Sequence, residues 1–342
     1  MAETQARFQE ANLRTERIRD LGLSIEGTRL EPVIGEFKAE VEALQLAHLK
    51  PSFYLSTEWG VVFGSHSIAL PFYLARPELE AIQVEQVGHL EGAGRAEILR
   101  YLRHEFGHVV NYAYHLYEDE EWVRQFGSMT QPYIEEYVPT PFSRRFVRHL
   151  PGWYAQKHPD EDWAETLAVW MTPAKDWRKT YKNWPTALAK LDYCDAVMHS
   201  LRDRPLVDLA EERDEDVGEL SVSLSEYYSQ LQKGEDAMPP GLEGALTAMF
   251  EDVDAPDGSA SVARKPAAAL LKRMERELMD NVYRWTGHFP ERTRTLVRHL
   301  ATRAEELQQV YPEDQEARLQ VAITTFVTAL AMNFVHRGSY MP

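Results

Sequence analysis

The sequence predicts an α+β fold, in which a small, mostly antiparallel sheet with several helices is followed by a mainly helical C-terminal part. Residues 21–75 carry short apolar runs interrupted by glycine and proline, a pattern typical of strands. Over residues 94–117 the apolar positions recur every three or four residues, which predicts an amphipathic helix. Residues 266–336 contain three further helical patterns, separated near Pro290 and Pro312.

The remaining elements follow from local signals along the chain. Residues 1–20 have the charge and spacing of an amphipathic helix. The run from Ser67 to Leu74 is rich in residues that favour strands, and Pro71, which has no N–H to donate, predicts a position at the edge of the sheet. A second long helix is expected to begin near Asp160 and to end before Pro173.

Two segments have the composition of linkers. Residues 208–219 carry many acidic side chains, and residues 238–261 are rich in proline, glycine and aspartate. We therefore predict two domains, 1–204 and 205–342, with the boundary near residue 205 and no role assigned to the second.

Composition excludes several classes of partner and of covalent structure. The chain has 342 residues and a formal net charge of -17, which disfavours binding to nucleic-acid phosphates and to anionic membranes. Its single cysteine, Cys194, excludes an intrachain disulfide and fits a reducing compartment. Residues 1–20 lack the apolar stretch of a secretory signal, and no run of 18 apolar residues occurs. We expect a cytoplasmic protein.

The strongest chemical signal is the segment His104-Glu105-Phe106-Gly107-His108 in the first long helix. Residues four apart on a helix are separated by about 40° around its axis, so both imidazoles can bind one zinc ion. Glu105 lies beside them, where it can act as general base for the water molecule that zinc activates. Gly107 is expected to leave room near the ion. The alternative is a pair of surface histidines on an ordinary helix.

A catalytic zinc site needs a third protein ligand. A further histidine six residues after His108 is absent, because position 114 is tyrosine, and His115 lies roughly 10 Å along the helix axis from His108. The candidates are therefore Glu161 and Glu165, which share one face of the second long helix.

We assign Glu161 as the ligand and Glu165 as the acceptor of a hydrogen bond from a ligand histidine. Asp162, about 100° away around the axis, is expected to be a solvated charge or an anion that stabilises the helix start. The alternative is that all three are ordinary acids of a first helical turn.

Residues 153–166, which read Trp-Tyr-Ala-Gln-Lys-His-Pro-Asp-Glu-Asp-Trp-Ala-Glu-Thr, resemble a motif of bacterial zinc-binding metallopeptidases. Those proteins also carry a His-Glu-x-Gly-His helix upstream, as here. The resemblance covers roughly residues 50–200 and implies a zincin-like catalytic domain of the gluzincin type, whose ligands are two histidines and a glutamate. Some relatives carry a cysteine-rich zinc ribbon, which a chain with one cysteine cannot form.

The resemblance also suggests two groups that could stabilise an oxyanion. Tyr154, seven residues before Glu161, is the first candidate, and His158 is the second. Alternatively, Tyr154 is a buried aromatic residue beside Trp153. The predicted edge strand at residues 67–70 would hold a peptide by strand addition.

Three functions are consistent with these residues. The leading hypothesis is a peptidase with one zinc ion (Zn²⁺) per chain and a peptide or protein substrate. The second is a zinc amide hydrolase that acts on a non-peptide metabolite. The third is a non-catalytic interaction protein with a structural zinc site, against which Glu105 argues, because a structural site has no use for a base between its ligands.

Overall fold

The structure is a computed structural model of the chain, and it describes residues 13–46, 49–134, 137–173, 176–207, 210–231, 242–253 and 263–340. The described residues contain many helices and two three-stranded sheets, which confirms the α+β class. The chain divides into two compact units, one formed by residues 1–85 and 90–231 and the other by residues 86–89 and 232–342.

The sheet of the first unit consists of β1 (Ser52–Ser56), β2 (Gly60–Val61) and β3 (Ser67–Pro71), in the order β1-β3-β2. The predicted edge position of the segment beginning at Ser67 is wrong, because β3 is the central strand, parallel to β1 and antiparallel to β2. Pro71 is tolerated there because it is the last residue of β3, where a missing N–H interrupts no internal ladder. The prediction of a mostly antiparallel sheet is therefore wrong for this unit: the sheet is mixed, its longer ladder is parallel, and β2 is one of its edges.

Eight α-helices of the first unit lie within the described residues. They are α1 (Leu30–Ala43), α2 (Pro77–Gln86), α3 (Arg95–Ala113), α4 (Glu120–Phe126), α5 (Pro159–Met171), α6 (Trp177–Tyr181), α7 (Pro185–Ser200) and α8 (Leu224–Leu231).

The two predicted helices that carry the motifs are α3 and α5. The apolar side chains Ile98, Leu102 and Phe106 of α3 are buried at helical spacing. Helix α5 begins with a proline at its first position, where no intrahelical N–H is needed, and ends two residues before Pro173.

Helices α3 and α5 approach closely at Gly107. A Cβ atom at this position would lie 2.5 Å from Ala164 Cα, and the indole N–H of Trp163 donates to the Gly107 carbonyl oxygen at 2.9 Å. The expected role of Gly107, room near the ion, is therefore corrected: the missing side chain makes room for the backbone of α5. This close crossing brings the acidic face of α5 against the histidines of α3.

Of the predicted N-terminal helix, residues 1–12 lie outside the described residues, and residues 13–15 are helical as predicted. Arg17 forms a β-bridge with Ser223, and Ile18–Leu21 is a 3₁₀-helix, so a continuous α-helix through residue 20 is wrong.

The boundary between the units falls after Leu231, and not near residue 205. The N–H of Val207 donates to Ala113, and the N–H of Val217 donates to Leu55 in β1. These hydrogen bonds join the segment after residue 205 to the first unit.

The second unit contains α9 (Glu243–Met249), β4 (Glu251–Asp252), β5 (Arg264–Pro266), α10 (Ala267–Thr286), α11 (Pro290–Glu306), β6 (Gln309–Pro312) and α12 (Glu316–Arg337). Its core is apolar and is built mainly by α10, α11 and α12, so the three predicted helices are confirmed. The antiparallel sheet, in the order β4-β6-β5, was not predicted.

Among the described helices, the segment Glu313–Arg337 alone is long and apolar enough to cross a membrane. Length and composition are weak grounds for such a role, because a core helix of a soluble protein meets the same criteria. Ile323 and Val327 of α12 are fully buried in the core of the second unit, whereas Val321 on the same helix is 68% exposed.

Candidate metal centre

Three buried side chains meet at the crossing of α3 and α5. His104 Nε2 lies 3.0 Å from Glu161 Oε2 and 3.3 Å from His108 Nε2. The third side of this triangle, from His108 Nε2 to Glu161 Oε2, is 3.4 Å. His104, His108 and Glu161 are therefore brought together as the sequence predicted, and they form a group that can hold a metal ion.

The triangle fits the coordination geometry of zinc. Tetrahedral ligands at about 2.0–2.1 Å from zinc are separated from each other by about 3.3–3.4 Å. The observed separations of 3.0, 3.3 and 3.4 Å lie close to this value. Glu161 Oε2 is also buried, and the Nε2 atoms of His104 and His108 lie 3.0 and 3.4 Å from it. A buried carboxylate is costly unless a cation neutralises it, and at this position the cation is either a metal ion or a protonated histidine.

Glu165 supports His104 from the side opposite the triangle. Its Oε1 lies 3.0 Å from His104 Nδ1, as predicted. The same carboxylate accepts hydrogen bonds from the backbone N–H groups of His149 and Leu150. These contacts fix its orientation, so Glu165 can hold the His104 ring with Nε2 directed at the triangle.

Asp160 has the same role for His108, which sequence reasoning missed. Asp160 Oδ2 lies 2.9 Å from His108 Nδ1. Asn111 Nδ2 donates to Asp160 Oδ1 at 2.7 Å, and the Tyr112 hydroxyl donates to Oδ2 at 2.5 Å. The available signal was the spacing of Asn111 and Tyr112, three and four residues after His108 on the same helix face.

Asp162 is not a solvated charge. It is fully buried, and its carboxylate forms an ion pair with the buried ammonium group of Lys190 on α7. Its interaction joins α5 to α7, away from the triangle, so the predicted surface role of Asp162 is wrong.

Glu105 lies beside the triangle in a cavity of about 320 Å³. Burial raises the pKa of the Glu105 carboxyl, although the neighbouring His104 and His108 charges oppose this effect. Other residues that line the cavity include Glu58, Gly60, Val61, Tyr112, Tyr133, Tyr154 and Lys157. A carboxylate with a raised pKa in a cavity that also contains a metal-binding triangle is suited to accept a proton.

Besides Tyr112, the tyrosines Tyr133 and Tyr154 line the cavity beside the triangle. The Tyr154 ring lies edge-on to His104 with the ring centroids 5.4 Å apart. Burial and the Glu161 charge hold the pKa of Tyr154 well above its ordinary value, so the hydroxyl keeps its proton. The Tyr133 hydroxyl donates to Glu161 Oε1 at 2.5 Å. Tyr133 was missed because it lies in an irregular segment without a motif.

His158 does not serve the site directly. Its Nδ1 accepts a hydrogen bond from the N–H of Asp160, and its Nε2 donates to the carbonyl oxygen of Gln131. Both ring nitrogens are thereby engaged by backbone, and the side chain caps the N-terminus of α5. The proposed oxyanion role of His158 is therefore wrong.

Comparison of the chain with protein-family models, with curated proteins and with solved structures gave no match.

Proposed function

We propose that the chain is a zinc-dependent metallopeptidase of the gluzincin type, in which His104, His108 and Glu161 hold the ion. The observation that carries this proposal is the position of Glu105, buried in the cavity beside the three donors yet not one of them. A site that only stabilised the fold would have no use for a carboxylate at this position.

The chain's own residues supply the proton transfers of amide hydrolysis. When bound, zinc would lower the pKa of a water molecule and polarise the substrate carbonyl. The Glu105 carboxylate accepts a proton from the attacking water and then donates it to the leaving amine. The protonated Tyr154 hydroxyl donates a hydrogen bond to the oxygen on which negative charge develops, an interaction typically worth a few kcal/mol.

The edge strand favours a peptide over a small metabolite as substrate. Gly60 and Val61, which form β2, line the same cavity as Glu105. Because β2 is an outer strand of its sheet, its backbone can pair with an extended peptide. We therefore assign the role in peptide binding to β2, and not to residues 67–70 as predicted from the sequence. A zinc amide hydrolase acting on a metabolite is the second candidate, but it gives the strand edge no function.

Substitution of Glu105 by glutamine tests the proposal. Glutamine keeps nearly the same shape but cannot accept the proton, so the variant should keep its zinc content. Hydrolysis of a peptide mixture, followed by mass spectrometry, should fall by roughly 10²–10⁴-fold. The matched control is Glu78→Gln, which changes an exposed acid on α2. Unaltered hydrolysis by zinc-loaded Glu105→Gln would exclude the peptidase mechanism.

A further inference from the structure

Phe63 is an exposed aromatic residue next to the cavity. Its side chain is 58% exposed, although phenylalanine gains from burial. Its ring lies 4.8 Å from the Tyr112 ring and 5.5 Å from the Tyr117 ring, centroid to centroid. Tyr112 itself lines the cavity, so Phe63 packs against a residue of the cavity wall.

The backbone around Phe63 is held in place on both sides. The N–H of Ser65 donates to the carbonyl oxygen of Val62, which closes a tight turn, and Gly64 takes the positive φ of 78° that this turn requires. Ser65 is fully buried and forms a β-bridge with Ala210. An exposed apolar ring on an ordered backbone can bind a ligand with little loss of conformational entropy.

The position of this turn relates Phe63 to a peptide bound along β2. The turn follows Val61 directly, so Phe63 lies at the end of β2, two positions after the last residue of the strand. A peptide that pairs with β2 and extends beyond Val61 would run past this turn, on which the Phe63 side chain is exposed. The acidic side chains that line the cavity, among them Glu58 and Glu105, outnumber its one lysine, Lys157, and so disfavour an acidic side chain nearby.

We propose that Phe63, with Tyr112 and Tyr117, forms a subsite for a large apolar side chain of the peptide, close to the bond that is cleaved. This inference rests on the proposed peptidase function. Phe63 determines specificity and takes no part in the proton transfers.

The subsite can be tested with the zinc-loaded full-length protein and a peptide mixture analysed by mass spectrometry. Wild-type cleavage sites should show leucine, phenylalanine or another large apolar residue at one fixed position. Two peptides that differ only at that position, leucine in one and glycine in the other, are then compared by kcat/KM. In Phe63→Ala the value for the leucine peptide should fall on the order of 10-fold or more, with little change for the glycine peptide.

Two further variants separate the subsite from a general effect of substitution. Phe63→Leu keeps an apolar side chain and should retain most of the discrimination. Val123→Ala removes an exposed apolar side chain from α4 and should behave as the wild type. An unchanged leucine-to-glycine ratio in Phe63→Ala overturns the subsite alone. Failure of the wild-type protein to cleave any peptide overturns the proposed function, and the subsite with it.

Discussion

His104 and His108 each lie between the donor triangle on one side and a carboxylate on the other. Burial, the largest single effect, lowers the pKa of His104, but the adjoining carboxylates of Glu161 and Glu165 outweigh it and raise the pKa to about 9. The same balance raises the pKa of His108, where Asp160 and Glu161 oppose burial. In the metal-free protein the site is therefore neutralised by protons, which a cation must displace.

Zinc affinity should consequently depend on pH. A metal ligand must be a neutral imidazole, so binding releases protons, and the apparent affinity should rise from pH 6.5 to about 9. In the metal-free protein the raised pKa of His104 contributes stability that is fully present below pH 6.5 and is lost as the pH rises through 9.

The measurements are zinc competition with a chromophoric chelator and thermal unfolding of the metal-free protein, both across this pH range. A zinc affinity that does not change with pH would contradict the protonation of His104 and His108 in the metal-free protein.

The carboxylates around the two rings should differ in their effect on zinc binding. Glu161→Ala removes a donor of the triangle and should nearly abolish zinc binding at micromolar metal. Glu165→Ala and Asp160→Ala each remove only the partner of an Nδ1 atom and should lower the affinity by about 10–100-fold. Isothermal titration with zinc measures all three, with Glu78→Ala as an exposed control. A larger loss in Glu165→Ala than in Glu161→Ala would reverse the assigned roles.

At the scale of elements, the site depends on how closely α3 and α5 cross. Two residues of α5, Glu161 and Glu165, lie on either side of Ala164 along the helix, and Ala164 contacts Gly107. Residues at this spacing share a face, so the contact at Ala164 delivers both carboxylates to His104. A displacement of α5 would therefore change both the contact of Glu165 with His104 and the position of Glu161 in the donor triangle.

Gly107→Ala should therefore weaken both the fold and the metal site. The new Cβ would lie 2.5 Å from the backbone of Ala164, which α5 can relieve only by moving away. We expect a loss of about 1–3 kcal/mol in the free energy of unfolding, as for other overpacked cores, and a lower zinc affinity. Urea unfolding and zinc titration measure the two effects.

Gly35 in α1 provides the matched control for this substitution. A Cβ at Gly35 meets no described atom within 4 Å, so Gly35→Ala should stabilise the helix by about 0.5–1 kcal/mol. Equal effects at Gly35 and Gly107 would contradict the packing argument.

The same elements show how far the sequence could predict the site. Helices α3 and α5 were predictable because apolar periodicity and flanking prolines are local signals. The metal donors His104, His108 and Glu161 were predictable from the helical spacing within each motif. The position of β3 in the centre of its sheet was not predictable, because it is set by pairing with Ser52–Ser56, 15 residues earlier in the chain. Tyr133 reaches Glu161 only through the tertiary fold of its loop, so no pattern in the sequence indicated it.

At the scale of the whole molecule, residues 205–231 illustrate why charge alone is a poor guide to a boundary. The acidic stretch has the composition of a linker, yet Val217, Leu224 and Tyr228 near it are buried. The Tyr228 hydroxyl donates to Gln83 Oε1 at 2.8 Å, and the N–H of Ile18 donates to Val222. The segment thus completes the core of the first unit with a few apolar side chains placed between acids.

Two truncated chains distinguish these boundaries. A fragment of residues 1–231 keeps the buried side chains of this segment and should unfold cooperatively and bind one zinc ion. A fragment of residues 1–204 loses Val217, Leu224 and Tyr228, each of which contributes about 1.5–3 kcal/mol by burial. That loss is comparable to the entire stability of about 5–15 kcal/mol of an ordinary domain, so the shorter fragment should be largely unfolded.

Near-ultraviolet circular dichroism, urea unfolding and zinc content measure the difference between the two fragments. Equal stability and zinc content in the two fragments would support a domain boundary near residue 205. Unfolding of both fragments would show that residues 232–342 are needed for the first unit to fold.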